Sequence, residues 1–514
     1  MHKYNRLLYI LALVKLILPF FLQHPVYEPH RDEFLYLAEG RHMAWGFMEV
    51  PPLLSVFAWL THLFGNGFFW IKFWPSLIGA LTFVIGGKLI LNLGGGTYAL
   101  FLAFLCFFFS AYMRVDYLFQ PNFLEIFFYT LIAYSLVRYI QTNNNSWLYL
   151  NGLSMGLGML SKYSIAFFIL SVMIGLLLTR QRKIFLNRHF YFSSILAFII
   201  FLPNLLWQAS HHFPVVFHMS ELRETQLQYI SPVTFLIDQV VMFLPCFFVW
   251  MSGWWYVTIT KKGNDYRFLG LAWVAEIIML LIFHGKNYYS LGLYPPLLAF
   301  GCLYREQFTS QRLRVLRWLP PIFIVVAGLW FTVLLLPVME PTRLAAFYKK
   351  NHFEKTGLLK WEDLRNHPLP QDFADMQGWE EMARKMGAAY ATLDSSEKKN
   401  TVLFCDNYGI AGAVNYYGEK YGLPNAYSDN ASFLYWMPDH MKIDNLLLLT
   451  DDEQEMEHPF IKNFKSAILW DSITSPYARE KGDLIILLKG ANDEFNQMFL
   501  EKIKKDKIKL RMQQ

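Results

Sequence analysis

Charged residues are scarce in this chain: 17% of its 514 residues are charged, whereas 54% are hydrophobic. Soluble domains carry about 25% charged residues, so the composition excludes an ordinary soluble enzyme. A count along the sequence gives 13 acidic and 23 basic residues before Pro337, and 27 acidic and 23 basic residues after it. The first two-thirds therefore resembles a membrane protein and the last third a soluble domain. The basic excess indicates topology or lipid phosphate rather than a nucleic-acid partner.

Cysteine is rare as well, with four residues in the chain. Three of them lie in apolar segments, so Cys405 is alone in the last third and cannot form a disulfide within it. The sequence also lacks a phosphate-cradling GKS/T loop, a helical HExxH pair and a GxSxG nucleophile elbow. None of these three motifs can therefore supply the chemistry.

Long apolar runs are what the sequence has in abundance. A bilayer is crossed by about 20 apolar residues, and about eleven segments before Pro337 qualify as spans. Because cytoplasmic loops collect Lys and Arg, the pattern places the N-terminus inside and the region after Pro337 outside. Termini on opposite sides require an odd number of crossings. The apolar stretch 51–64 must therefore lie along the outer surface instead of crossing. We expect a polytopic α-helical membrane domain over residues 1–337 and an extracytoplasmic, periplasmic α/β domain over residues 338–514.

The last third alternates between helical and extended patterns. Apolar spacing predicts helices over residues 378–389 and 410–421, and β-branched or apolar runs predict strands at 401–404, 446–449, 467–470 and 484–488. Alternating elements of this kind are typical of a small α/β domain.

The outer loops contain the acidic residues that could act as catalysts. Asp32 and Glu33 follow the first span, and a carboxylate at this boundary could be the general base for a hydroxyl or amine acceptor. The alternative is that Asp32 caps a helix that follows it. Asp116, next to Arg114 in the second outer loop, is either a second acidic wall or half of a surface ion pair.

Two lysines at the same face could bind a phosphate. Lys162 follows a helix rich in small residues, and Lys286 precedes Tyr288 and Tyr289, which suit a sugar or an isoprenyl chain. The alternatives are lysines that snorkel to the interface and an interfacial aromatic belt. Arg114 is another of the basic residues that depart from the positive-inside pattern here, which favours an anionic ligand.

A metal site is a further hypothesis for the outer face. Glu49 precedes Pro51 and Pro52 and is rigidly presented, and His218 in the third outer loop could join it around a divalent ion. The alternatives explain these residues equally well: Glu49 is a charge at a helix N-terminus, and His218 belongs to a solvated loop.

Several motifs together resemble the family 39 branch of the GT-C glycosyltransferases, which includes protein O-mannosyltransferases and the aminoarabinose transferase acting on lipid A. The resemblance covers most of the chain and is most specific in the first loop. The motifs are His30-Arg-Asp32-Glu33-Phe-Leu-Tyr36, Glu49-Val-Pro51-Pro52, Arg114-Val-Asp116, Gly158-Met-Leu-Ser161-Lys162, Gly285-Lys286-Asn-Tyr288-Tyr289 and Asn407-Tyr408-Gly409-Ile-Ala411-Gly412-Ala413.

The resemblance implies inverting transfer of a sugar from a polyprenyl-phosphate carrier to a lipid, glycan or protein acceptor, in a bacterial inner membrane. Asp32 matches the catalytic acid, Asp116 the acid of the second loop and Lys162 a contact to the carrier phosphate. Glu49 matches a carboxylate that helps to hold a metal in the lipid A branch, and His218 is the histidine nearest to completing such a site. Val50 departs from those enzymes, which have lysine there.

Two other classes of protein remain open from the sequence. A transporter or lipid flippase would suit the number of spans and the basic residues at the outer face, although no symmetry between halves is visible and the acids cluster at one face. A membrane-anchored assembly protein would leave the acidic first loop unexplained.

Overall fold

The computed structural model describes residues 2–312 and 316–512 of the chain. Helices account for the regular structure of the first two-thirds. They are His2–Ile17, Pro19–Leu22, Arg31–Arg41, Leu53–Leu63, Phe68–Asn92, Thr97–Phe108, Tyr112–Val115, Asn122–Thr142, Ser146–Met159, Ile165–Leu177, Arg188–Ser210, Pro214–Thr225, Pro232–Val241, Phe247–Ile259, Arg267–Ile282, Tyr294–Arg312 and Leu319–Leu335.

Five helical segments in the described part of the chain are long and apolar enough to cross a bilayer. They are Lys3–Leu22, Phe68–Asn92, Asn122–Thr142, Arg188–Ser210 and Leu316–Leu335, and the bent pair Ile165–Leu177 and Arg180–Leu186 would make a sixth. The stretch expected along the surface is the short helix Leu53–Leu63. The count of eleven crossings and the orientation stay predictions.

The apolar run 233–258, which the sequence predicts as one of the spans, is not one helix. It consists of Pro232–Val241 and Phe247–Ile259, separated by a turn that contains Pro245. Proline has no N–H and its ring blocks the preceding turn, so the helix breaks before it. In this turn the carbonyl of Met242 accepts the backbone N–H of Ala111 at 2.9 Å.

The last third contains one five-stranded sheet flanked by helices. In spatial order its strands are Ala426–Tyr427, Thr401–Cys405, Asn445–Thr450, Leu484–Ala491 and Phe464–Ser472. The first three are parallel and the last two join antiparallel. The accompanying helices are Pro341–Lys350, Gln371–Ala374, Trp379–Ala391, Ser395–Lys399, Tyr408–Tyr417, Phe433–Trp436 and Asp493–Met512. The four predicted strands are confirmed, and the two-residue strand was not predicted.

The helix Arg31–Arg41, called the first-loop helix below, joins the two parts of the chain. Its Phe34 and Leu35 are buried in the same hydrophobic core as Trp379 and Leu403 of the C-terminal region. Just before it, the carboxylate of Glu28 accepts two N–H groups from the start of the helix Trp379–Ala391, from Trp379 at 3.0 Å and from Glu380 at 2.7 Å. The first loop is thus fixed against the C-terminal region, while the domain boundary at residue 337 stays a prediction.

Candidate active site

The first-loop helix begins with a reciprocal pair of hydrogen bonds. His30 Nδ1 accepts the N–H of Asp32 at 3.2 Å, and the N–H of His30 donates to Glu33 Oε2 at 2.8 Å. This capping box satisfies N–H groups at the helix start. The alternative in which Asp32 is the cap is therefore wrong, because His30 occupies that position. Asp32 and Glu33 lie in the first turn, where the helix dipole favours negative charge.

Asp32 is half-buried, and both of its carboxylate oxygens accept hydrogen bonds. Oδ1 receives the hydroxyl of Tyr408 at 2.7 Å, and Oδ2 receives Nε2 of Gln120 at 3.2 Å. Burial favours the neutral form, but the Tyr408 hydroxyl and nearby positive charges outweigh it and hold the pKa of Asp32 below its ordinary value. Asp32 is thus ionised at neutral pH, as a general base must be.

Glu33 has a different environment from its neighbour, because it is fully buried in a salt bridge. Nζ of Lys72 lies 2.6 Å from Oε1 and 2.7 Å from Oε2, and the N–H of Phe119 donates to Oε1 at 2.6 Å. Both side chains of the ion pair are 0% exposed. These contacts connect the first loop, the helix Phe68–Asn92 and the second outer loop. The catalytic role of Glu33 stays a prediction. The geometry of its salt bridge indicates a structural role.

Asp116 is also paired with a buried lysine. Its Oδ2 lies 2.6 Å from Nζ of Lys15, with side-chain exposures of 6% and 3%. The pair rests against Gly79, where a Cβ would come within 2.3 Å of Asp116 Cγ. This explains Lys15, a charge in the last turn of the first helix, as the counter-ion of Asp116. Its predicted role as a second catalytic acid stays a prediction.

Lys162 and Lys286 both lie next to the ring of Tyr288, and Lys162 also lies next to Tyr289. Nζ of Lys162 is 4.4 Å from the ring centroid of Tyr289 and 5.2 Å from that of Tyr288, and Nζ of Lys286 is 6.0 Å from the same Tyr288 ring. Burial lowers the pKa of Lys286, the carboxylates of Glu362 and Asp32 oppose the shift, and the charge of Lys162 adds to it. Lys286 is therefore within electrostatic reach of both Lys162 and the first-loop acid.

The two lysines differ in their own partners. Lys162 donates to Glu125 Oε2 and Asn122 Oδ1, both at 2.7 Å, so its charge is already balanced. Lys286 donates to the neutral amide of Gln226 at 2.5 Å. Lys286 thus has the more available charge for an anionic ligand.

One group of described side chains has the spacing of a metal site: a ligand atom from each of His30, Asp372 and Asp375 lies within 4.8 Å of the others. Because His30 Nδ1 accepts the N–H of Asp32, the neutral ring carries its proton on Nε2, which faces Asp372 at 3.5 Å and Asp375 at 3.8 Å. An ion would have to displace that proton. Arg114, predicted to contact the donor phosphate, already pairs with Asp372. The three side chains therefore form a His–Asp–Asp cluster in which Nε2 of His30 has no hydrogen-bond partner among the described residues.

The predicted metal ligands Glu49 and His218 have other contacts. The carboxylate of Glu49 accepts the N–H and hydroxyl of Ser432 at 2.7 and 2.6 Å. His218 is half-buried, and burial lowers its pKa. Within residues 2–312 and 316–512, no third His, Cys, Asp or Glu joins these two at ligand spacing. A divalent ion at Glu49 and His218 stays a prediction, and no step below is routed through it.

Comparisons with known proteins agree with this architecture. Residues 49–207 match the family described as dolichyl-phosphate-mannose-protein mannosyltransferase. The lipid A galacturonosyltransferase RgtD of Rhizobium johnstonii is 24% identical over 261 residues, which cover 49% of this chain and 54% of that protein. ArnT of Cupriavidus metallidurans superposes with a TM-score of 0.62 when bound to undecaprenyl phosphate and 0.60 in the apo state. Both alignments have 12% sequence identity and cover 95% of this chain and 98% of ArnT.

The chain has the GT-C fold. The resemblance to GT-C glycosyltransferases predicted from the sequence is thereby confirmed. The described residues also include helical segments long and apolar enough to cross a membrane. These matches are to glycosyltransferases and give no support to the transporter or flippase alternative. The aligned segment spans about half the length of the curated relative.

Proposed function

We propose that the protein is a membrane glycosyltransferase that moves a sugar from a polyprenyl-phosphate carrier to a lipid, glycan or protein acceptor. The observation that supports the proposal best is that Lys286 lies within electrostatic reach of ionised Asp32 and shares the ring of Tyr288 with Lys162. A general base and two cations in one place are what such a transfer needs. The relatives support the donor class, since one is named a lipid A galacturonosyltransferase and another was crystallised with undecaprenyl phosphate.

In the proposed reaction, Asp32 accepts the proton of the acceptor hydroxyl or amine as that atom attacks the anomeric carbon. The bond between this carbon and the carrier phosphate breaks on the opposite side, so the configuration inverts. The bonding electrons leave with the phosphate oxygen, and Lys286 and Lys162 stabilise its charge. No nucleotide pocket is required, because the leaving group is a phosphate at the membrane surface.

The test is sugar transfer by the purified protein in nanodiscs. We expect a radiolabelled sugar to pass from at least one polyprenyl-phosphate sugar to an extracted lipid, glycan or protein acceptor, with the opposite anomeric configuration in the product. Nucleotide sugars should not serve as donors in the same preparation. Failure with a panel of hexose and pentose donors, together with transbilayer movement of the carrier in liposomes, would contradict the proposal and favour a flippase.

Replacing either lysine by methionine should weaken donor binding. A charge-assisted hydrogen bond contributes about 1.5–3 kcal/mol, so we expect Lys286→Met to raise the Kd for the carrier phosphate about 10–100-fold. Lys162→Met should also destabilise the protein, because it leaves Glu125 buried without its cation. Kd is measured with undecaprenyl phosphate in nanodiscs.

The matched control for this measurement is Lys88→Met, which removes a lysine whose partner is Asn5, 2.9 Å away. Its Kd should equal that of the unchanged protein. Unaltered donor affinity in both Lys162→Met and Lys286→Met would remove these lysines from the proposed site.

We also propose that the N-terminus is cytoplasmic and that residues 338–514 are extracytoplasmic, in a bacterial inner membrane. The basis is the distribution of Lys and Arg among the loops. Reporter tags at the C-terminus and within 208–232 should report the outer side, and a tag within 180–188 the cytoplasm. A cytoplasmic C-terminus would place Tyr408 and Asp32 on opposite sides of the membrane and contradict their contact.

A further inference from the structure

The helix Tyr408–Tyr417, called the docking helix below, packs closely on the first-loop helix. Two glycines face the contact. A Cβ on Gly409 would come within 2.5 Å of Arg31 Cγ, and one on Gly412 within 2.7 Å of Phe34 Cβ and 3.0 Å of the Phe34 backbone. Only residues without a side chain allow the two backbones this approach. The sequence therefore fixes a short distance between the docking helix and the first turn that holds Asp32.

The start of the docking helix is fixed as well. The side chain of Asn407 accepts the N–H of Ile410 at 3.1 Å, which makes Asn407 the N-cap and Tyr408 the first helical residue. The guanidinium of Arg31 lies 5.0 Å from the ring centroid of Tyr408 and holds the ring in place. The hydroxyl is thereby aimed at Asp32 Oδ1, 2.7 Å away.

The carboxylate of Asp32 is consequently held from two sides by groups distant in sequence. Tyr408 binds one oxygen and Gln120, in the second outer loop, binds the other. A carboxylate held at both oxygens cannot rotate about its Cβ–Cγ bond without losing a hydrogen bond. Its remaining lone pairs keep a fixed direction toward an acceptor.

We propose that Tyr408 is a positioning residue for Asp32, so that the C-terminal region completes the active site of the membrane domain. This inference rests on the proposed function. Burial and the carboxylate of Asp32 raise the pKa of the Tyr408 phenol well above its ordinary value, so the phenol stays protonated and donates at every working pH. Its hydrogen bond stabilises the ionised form of Asp32 and sets its orientation, while the acceptor proton goes to Asp32 itself.

The first test is Tyr408→Phe, which keeps the ring against Arg31 and removes only the hydroxyl. We expect kcat to fall about 10–100-fold, because a charge-assisted hydrogen bond is lost, with KM for the donor unchanged. Since that bond favours the ionised carboxylate, the pKa of Asp32 should rise and the acidic limb of the rate profile should move to higher pH. A purely structural role would lower stability without moving this limb.

The matched control is Tyr416→Phe on the same docking helix. Its hydroxyl donates to the backbone carbonyl of Asn66 at 2.9 Å and does not contact Asp32. Both variants lose one phenol hydroxyl that hydrogen-bonds the docking helix to residues of the N-terminal part, so their melting temperatures should change alike while the pH limb shifts in Tyr408→Phe alone. Normal kcat with an unshifted limb in Tyr408→Phe, or an equal shift in the control, would overturn the inference.

A second variant tests the placement of the helix. Gly412→Ala should displace the docking helix from Phe34 and withdraw Tyr408 from Asp32, so kcat should fall at least as far as in Tyr408→Phe. In the Tyr408→Phe background, the same alanine should cause little further loss, since the hydroxyl is already absent. Full additivity of the two losses would show that the glycine acts independently of Tyr408 and contradict the proposal.

A measurement without turnover separates this inference from the proposed function. A single 3-fluorotyrosine at position 408 should give a ¹⁹F resonance that shifts as Asp32 titrates and loses that transition in Asp32→Asn. This result would support the contact even if no polyprenyl-phosphate sugar were transferred. A ¹⁹F resonance that does not shift as Asp32 titrates would overturn the inference even in an active transferase.

Discussion

Replacing Asp32 by asparagine should slow sugar transfer by about 10²–10⁴-fold while leaving the protein folded, because general-base assistance contributes about this much to a rate. The loss corresponds to roughly 3–5 kcal/mol of transition-state stabilisation. Asparagine has the same size and can still accept the hydroxyl of Tyr408, but it has no basic lone pairs for the acceptor proton. The transfer rate under saturating donor is the measurement, with Kd for the donor expected to stay within about threefold.

Stability should change little in this variant. Asp32 lies in the first turn of a helix, where a negative charge contributes about 0.3–1 kcal/mol. Its folded pKa is lowered, so its charge stabilises the fold above the unfolded pKa, and this contribution is lost as pH falls through the folded pKa. The melting temperatures of Asp32→Asn and the unchanged protein should therefore differ at neutral pH and converge in acid.

Asp265→Asn is a suitable control, since Asp265 is 56% exposed and its ion-pair partner is Arg180 at 3.7 Å. It removes a carboxylate of the same kind far along the chain from the first loop, and its transfer rate should be normal. A near-normal rate in Asp32→Asn would remove Asp32 from catalysis, whatever happened to the melting temperature.

Local signals in the sequence predicted much of the fold. The strands at Thr401–Cys405 and Asn445–Thr450 are marked by runs of apolar residues, and all six residues of the second are buried. The sequence also contains a signal for the start of the long final helix Asp493–Met512. Asn492 accepts the N–H of Phe495 at 2.8 Å as an N-cap. The strand Ala426–Tyr427 is too short to show a period of two.

The candidate site was predictable only where its residues belong to recognisable loops. The proximity of Lys162 and Lys286 followed from placing both at one membrane face. The partners of the two acids could not be predicted in this way, because Tyr408 is 376 positions from Asp32 and Lys72 is 39 positions from Glu33. Patterns of period 2 or 3.6 describe single elements and contain no information about which elements meet. The two glycines of the docking helix were the available signal of a close contact.

Breaking the salt bridge between Glu33 and Lys72 by removing one partner should have a large effect on folding. Removing one partner of a buried pair costs about 3–5 kcal/mol, because the other charge stays buried without compensation. Both side chains are 0% exposed, so water cannot replace the lost partner. We therefore expect Glu33→Gln and Lys72→Met each to lower the free energy of unfolding by about this amount, measured by thermal denaturation in detergent.

The double variant distinguishes a salt bridge from two independent packing residues. Glu33→Gln with Lys72→Met removes both charges, and replacing a whole buried pair by neutral groups is often close to neutral. The double variant should therefore be more stable than either single variant, although the amide must still accept the N–H of Phe119. If the two losses simply add, the pair is not coupled and the structural role assigned to Glu33 is wrong. If the stable double variant also transfers sugar at a normal rate, Glu33 has no catalytic role, and Asp32 is the acid of the first loop on which the reaction depends.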